Sequence, residues 1–203
     1  KAELETLVQN GYREIVLVGI NLSSYGKGTD VRLIDAVELA CSVDGVERVR
    51  LGSLEPELLL DEDIRRMALQ EKFCPQFHLS LQSGCDETLR RMNRHYDTAF
   101  YEELVQKLRS TFDDCSITTD IMVGFAGETE EEFQQSLAFA RKIGFAKAHV
   151  FAYSIRQGTR AASLSGQLSR KEKEERSRKM IEATDRTRED FYSSRIGRIY
   201  DVL

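Results

Sequence analysis

The chain has 203 residues, 41% hydrophobic and 31% charged, which supplies a substantial core and excludes disordered and fibrous classes. A formal net charge of -5 excludes a surface that grips nucleic acid everywhere, so any such contact must be a local patch or lie in a segment outside this chain. No apolar run reaches bilayer length and Lys1 to Gln9 carries charge where a signal peptide would be apolar; with four dispersed cysteines, Cys41, Cys74, Cys85 and Cys115, a cytoplasmic protein with no membrane partner is expected.

Apolar runs recur at Ile15–Val18, Val46–Leu51, Phe77–Leu81, Ile117–Val123 and Ala148–Phe151. Each is short, rich in branched residues and without polar alternation, the pattern of strands buried on both faces of a parallel sheet. They lie roughly thirty to forty residues apart, room for a crossover helix each time. Leu33 with Val37, and Phe100 with Leu104 and Leu108, recur at helical spacing, and Thr129 with Glu132 forms a capping box ahead of Phe133 and Leu137. A second box, Ser169 with Glu172, opens a long charged helix to about Arg195, whose expected packed stripe is Met180, Ile181, Thr184, Arg188 and Phe191. Pro56 and Pro75 fall in predicted loops, and Gly197–Leu203 reads as the first strand of a further domain. The order is α(βα)₄β, an α/β fold with five parallel strands; a barrel and a doubly wound sheet both satisfy it.

Ligands of parallel α/β folds sit beyond the carboxyl ends of the strands. Five such ends are polar or glycine-rich: Gly19 to Gly26, Ser53 to Pro56, Gln82 to Gly84, Gly124 to Glu128, and Tyr153 to Thr159. Taken singly, Glu55 or Asp120 is an ordinary ion-paired carboxylate and Arg94 a surface charge; the joint pattern favours a ligand site. Gly124 and Gly127 also suit a purely structural turn into the capped helix. Cys74 and His78 stand four apart, but two ligands make no zinc site. Cys85 suits a small packed side chain, His149 a core or sheet-face position, and Arg176, Arg178, Lys179 and Arg186 a solvated helix face.

The string His78-Leu79-Ser80-Leu81-Gln82-Ser83-Gly84-Cys85, followed by Leu89-Arg90-Arg91-Met92-Asn93-Arg94, resembles a segment of the MiaB-like radical S-adenosylmethionine (SAM) methylthiotransferases. Thr119 to Thr129, and Val150 to Ser154 with Gly158 to Ala162, resemble two more. The resemblance implies a partial (β/α)₆ radical SAM barrel over residues 1–196, short of its first strand, with 197–203 opening an RNA-binding TRAM-like domain. It implies a whole protein that adds a methylthio group to C2 of a modified adenosine beside the tRNA anticodon, using SAM and [4Fe–4S] clusters. Gly19 with Asn21, Ser53 to Glu55 and Phe151 to Ser154 look most like the threonylcarbamoyladenosine branch; the isopentenyladenosine and ribosomal-protein branches stay open. The sulfur and electron donors are unassigned.

By the same resemblance Gly19 would let the SAM amino group approach the backbone, with Asn21 beside it. Glu55, Gln82 and Asp120 would meet ribose hydroxyls and the methionine moiety, Arg94 its carboxylate, and Ser154 the adenine. The departure from the family is the absent C-x3-C-x2-C cluster loop: the closest cysteines, Cys74 and Cys85, are eleven apart, so this chain by itself is expected to hold no cluster and to be inactive. Two other classes answer to the same residues. One is a TIM-barrel lyase or aldolase with Glu55 or Asp120 as base, against which no lysine stands at a predicted strand end. The other is a cluster-free module that binds SAM or RNA.

Overall fold

The computed structural model describes residues 1–200, except the side chain of Ser23. It divides into two compact units, Lys1–Ser80 with Glu103–Ile117, and Leu81–Glu102 with the chain from Thr118 onward.

The first unit opens with helix α1 (Ala2–Gln9) and continues through strand β1 (Glu14–Leu17), helix α2 (Leu33–Cys41), strands β2 (Arg48–Leu51) and β3 (Ser53–Leu54), helix α3 (Asp61–Ala68) and strand β4 (Gln76–Leu79). All its pairings are parallel: Ile15 faces Val49 and Leu17 faces Leu51, while Ser53 faces His78 and Leu54 faces Leu79. The expected single strand Val46–Leu51 is therefore interrupted and extended. The Gly52 amide still bonds the Leu17 carbonyl at 2.8 Å, and a Cβ on Gly52 would sit 3.2 Å from Val18 Cγ1, so glycine admits the close approach where pairing passes from β1 to β4. Leu33 and Val37 bury the inner stripe of α2 as expected, and Ile34 joins them. The rings of Phe73, Phe77 and Phe112 stack tilted at 5.2 to 5.9 Å. Arg66 of α3 ties back to α2 through Asp35 and Glu38; the Arg32 amide and then Arg66 hold the Asp35 carboxyl below its ordinary value, and Arg66 holds that of Glu38 down by hydrogen bonding.

The second unit contains helix α4 (Asp86–Arg91), most of strand β5 (Ser116–Val123), helix α6 (Glu130–Ile143), strand β6 (Lys147–Ala152) and helix α7 (Arg170–Ser193); helix α5 spans Thr98–Thr111. β5 and β6 pair in parallel from Thr118–Lys147 to Val123–Ala152. Both capping boxes form: Glu132 N–H donates to Thr129 Oγ1 and Thr129 N–H to Glu132, and Ser169 and Glu172 exchange the same pair. Gly144 ends α6 in the left-handed conformation. Tyr101, Phe139 and Phe145 meet edge-on at the centre of the core, with Phe133 fully buried nearby in sequence.

Two expected helix faces are corrected. Ile181 is 44% exposed, and the buried face of α7 is Arg176, Met180, Ala183, Thr184 and Thr187. Phe100 is exposed, and Tyr101 turns inward in its place. His149 takes the sheet-face alternative of its reading, on the exposed face of β6. Residues 198–200 form no strand, and the rest of the Gly197–Leu203 expectation lies outside the described residues. In each helix case the sequence shows the period while the neighbouring elements choose the face.

Candidate functional site

In the first unit, the chain leaves β1 through exposed Gly19, Ile20 and Asn21 and is anchored by buried Leu22, which opens a short 3₁₀ turn. A Cβ on Gly19 would meet only ordinary contacts, 3.6 Å from Leu22 Cα, so nothing within the protein demands glycine there. Gly26 is different: with φ 75°, its added Cβ would fall 1.8 Å from the Val31 carbonyl oxygen. Glu55 follows β3 as expected and its carbonyl accepts the Leu58 amide at 3.2 Å, starting the turn around Pro56.

In the second unit, Gln82 holds the left-handed conformation at φ 66°, a strained position for a residue with a side chain. The ladder enforces it: Gln82 N–H donates to the Asp120 carbonyl at 2.9 Å, and Met122 N–H donates to the Gln82 carbonyl at 2.8 Å. Leu81 on one side donates to Thr119 Oγ1 at 3.0 Å. Gly84 on the other lies so close to α6 that a Cβ would come 2.7 Å from that of Phe139, and its amide bonds Ser136 at 2.9 Å. The Gln82-Ser83-Gly84 string is therefore pinned on both sides, and Gln82 carries the strain between the pins. Cys85 next to it is buried, its thiol against Gln135 Oε1 at 3.2 Å, which suits the packed reading. Asp120 does not stand at a strand end: β5 continues through Val123, because the chain from Ile121 stays paired with β6. The backbone of Gln82 nevertheless reaches the same level.

Gln82 and Arg94 line one cavity of about 240 Å³, together with Met92, Met122, Phe125 and Tyr153. Arg94 arrives there because Asn93, at φ 59°, ends α4 with a left-handed turn and the Arg94 amide closes on the Leu89 carbonyl at 3.0 Å. Phe125 and Tyr153 meet edge-on at 5.0 Å to form an apolar wall, and Lys173 Nζ lies 5.1 Å from the Tyr153 ring centre. Tyr153 is 8% exposed and its hydroxyl has no partner, a buried polar group left over in the cavity wall, as is Nε of Arg91. Ser154, the expected adenine contact, is exposed and does not line this cavity; its neighbour Tyr153 does. The sequence reading passed over Tyr153, Phe125 and Arg160. The available signal was alternation along and beyond β6, which turns residue 153 to the side opposite residue 154.

The loop carrying Phe125 is built around a buried carboxylate. Glu128 accepts the Gly124 amide at 2.5 Å and Arg176 Nη1 at 2.7 Å, and the same Arg176 nitrogen donates to the Glu128 carbonyl at 3.0 Å. Burial pushes the Glu128 carboxyl above the ordinary glutamate value, against the opposing pull of Arg176 and the Gly124 amide. The Gly127 amide bonds the Gly166 carbonyl at 2.9 Å, and a Cβ on Gly166 would approach Gly127 Cα to 2.9 Å. Arg176, assigned from sequence to a solvated face, is thus a buried brace.

The cysteines do not fit an iron–sulfur cluster. Cys41, Cys85 and Cys115 are buried, and burial raises the Cys41 and Cys74 thiols, away from the thiolate form that iron requires. Among the described residues, no three His, Cys, Asp or Glu side chains come together in a way that could hold a metal ion. The second-unit cavity does fit part of a SAM molecule: apolar and aromatic walls, a guanidinium for a carboxylate, an amide and an unsatisfied phenol for hydroxyl or amine groups. No helix of the described residues is long and apolar enough to cross a membrane.

Residues 1–140 match the family model of the radical SAM superfamily. The chain is 37% identical over 203 residues to tRNA-2-methylthio-N(6)-dimethylallyladenosine synthase of Clostridium botulinum, covering 99% of this chain and 45% of that protein. It is 41% identical over 176 residues to threonylcarbamoyladenosine tRNA methylthiotransferase MtaB of Thermotoga maritima, covering 87% of this chain and 41% of that protein. The chain thus spans less than half the length of these relatives. Among solved structures, the radical SAM enzyme coproporphyrinogen III oxidase (HemN) of Escherichia coli superposes with a TM-score of 0.67 at 15% identity, over 92% of this chain and 45% of that one, which shows the fold. With the family model matching most of its length and the fold shared, the chain belongs to the radical SAM superfamily.

Proposed function

We propose that the chain is the barrel portion, residues 1–196, of a tRNA methylthiotransferase that modifies C2 of an N6-substituted adenosine, with residues from 197 opening an RNA-binding domain. The observation that carries the reading is Gln82: a strained left-handed residue, enforced by two ladder hydrogen bonds and aimed with Arg94 at an aromatic-walled cavity. Strain of this kind costs on the order of 1–3 kcal/mol and is kept where a ligand needs the group. Both relatives named above methylthiolate an adenosine of tRNA, by their names.

Bound SAM would supply the reactive sulfonium chemistry, and this chain's residues bind and orient it. Arg94 pairs with the carboxylate, Gln82 and the Tyr153 hydroxyl hydrogen-bond its polar groups, and Phe125 with Met92 and Met122 excludes water. The roles of Gly19, Asn21 and Glu55 in the first unit, and of Asp120 and Ser154 in the second, rest on the resemblance of their motifs. For the nucleoside we favour threonylcarbamoyladenosine, on the motif resemblance and the 41% identity to the MtaB enzyme. The dimethylallyladenosine reading is supported by the longer alignment with the Clostridium enzyme. Mass spectrometry of tRNA nucleosides from cells with and without the whole protein separates the two. Loss of the methylthio form of threonylcarbamoyladenosine alone is expected; loss of the dimethylallyl form instead selects the second reading, and loss of neither sinks both.

A further inference from the structure

Acidic residues make up 34 of 203 positions, yet none occurs from Tyr153 to Lys171, a stretch that carries Arg156, Arg160, Arg170 and Lys171. In a chain of net charge -5, this is a local basic segment that leaves β6 and leads into α7. Its arginines differ in kind. Arg170 is paired with Glu174 one helical turn on, at 2.6 Å, as Arg178 is with Glu182 at 2.8 Å. Arg156 and Arg160 are exposed and have no ion-pair partner among the described residues. Their loop is also held in shape by its own bonds. Thr159 Oγ1 donates to the Arg156 carbonyl at 2.7 Å, Ser163 Oγ donates to the Arg160 carbonyl at 2.8 Å, and Gln167 Nε2 donates to the carbonyls of Ala161 and Leu164 at 3.0 and 3.1 Å. Gly166 ties the far end to Gly127 at 2.9 Å.

A loop ordered by its own hydrogen bonds, with no carboxylate in its sequence and two exposed guanidinium groups, is chemically suited to phosphate oxygens. Arg160 also lines the cavity with Gln82 and Arg94, so a phosphate held there stands beside the place where a nucleoside would be presented. We propose that the loop from Ile155 to Ser165 grips the sugar–phosphate backbone of the RNA substrate, Arg156 and Arg160 each neutralising one phosphate. This rests on the reading of the protein as an RNA-modifying enzyme. It adds a surface and two residues which that reading does not require.

The test measures binding of a tRNA anticodon stem–loop to the whole protein as a function of salt, for wild type, Arg156→Ala/Arg160→Ala, the double lysine variant, and Arg170→Ala as a charge control. Two lost phosphate contacts should reduce the slope of log affinity against log salt by about 1.4, on the single-strand value of about 0.7 per phosphate. The lysine variant should restore most of the slope, and Arg170→Ala should leave it unchanged. Calorimetry with SAM runs alongside, and Arg170→Ala, at a residue off the cavity, should leave SAM affinity unchanged. A wild-type slope in the double alanine variant overturns the grip while leaving the enzyme reading intact. A fall in SAM affinity with an unchanged slope reassigns Arg160 to the cofactor and also overturns it. Absence of RNA binding by wild type removes both readings.

Discussion

Two glycine-containing loops leave parallel strands in this molecule, and they are built in opposite ways. The loop after β1, residues 19–30, is hydrogen-bonded within itself, as where Thr29 Oγ1 donates to the Gly26 carbonyl at 2.7 Å; Gly19, Ile20 and Asn21 stand exposed, and buried Leu22 is its apolar anchor. The loop after β5, residues 124–129, is held from outside by Arg176 of α7 and the Gly166 carbonyl, and closes on the buried carboxylate of Glu128. Glycine-containing sequence thus hides one loop whose hydrogen bonds are its own and another bonded to a helix almost fifty residues away. The difference shows which motif glycine is required by packing and which is not. Gly124 would drive a Cβ to 2.6 Å from Lys173 Cγ, whereas Gly19 would meet nothing closer than 3.6 Å.

The largest expected effect breaks the brace. Arg176→Met leaves Glu128 buried without its cation and should cost about 3–5 kcal/mol of unfolding free energy, read as a lowered denaturation midpoint. Arg170→Ala on the same helix, an exposed pair, should leave the midpoint where it is. Equal midpoints for the two variants would show that the second loop is as self-contained as the first.

Next in size is the cavity that the braced loop walls. In the whole protein, Arg94→Ala should raise the SAM dissociation constant roughly tenfold or more, on about 1.5–3 kcal/mol for a hydrogen bond to a charged group. Asn21→Ala in the exposed loop, with a neutral hydrogen bond at most, should raise it less. Calorimetric titration of both decides which loop region anchors the cofactor, and an unchanged constant for Arg94→Ala would remove that residue from the site.

The smallest effect is a pH dependence at the start of α6. Arg91, bidentate to Glu132 at 2.8 and 2.5 Å, holds that carboxyl below its ordinary 4.5, burial opposing and the Thr129 amide assisting. A lowered folded-state value means stability that is present above about pH 4.5 and lost as pH falls through the lowered value. Glu132→Gln should flatten that acid limb in urea melts taken from pH 6 to about pH 3; an unchanged limb would mean that other carboxylates carry it.

Much was legible from the sequence alone. The five apolar runs became parallel strands, the second of them divided at Gly52, because a short branched run is a local signal; burial on both faces did not follow, since β5 alternates between buried and half-buried residues and β6 is largely exposed. Both capping boxes formed because their hydrogen bonds span only three residues. The joint placement of Gln82 and Arg94 came from motif resemblance, and the cavity they share is consistent with it. Contacts between residues distant in sequence were not legible. Arg176 read as one more arginine on a charged helix, and only the fold reveals a carboxylate 48 residues earlier that buries it. Asp120 lies inside the apolar run Ile117–Val123 and its place at a strand end came from resemblance, whereas the pairing with β6 carries the strand on to Val123. Ser154 and Tyr153 are neighbours in sequence, and the alternation of extended chain turns one to solvent and the other into the cavity wall. Local hydrogen bonding and hydrophobic period were settled by the sequence, being short-range; which face is buried, which charge is neutralised and which glycine is crowded were decided by tertiary structure, because each depends on what a distant segment brings alongside.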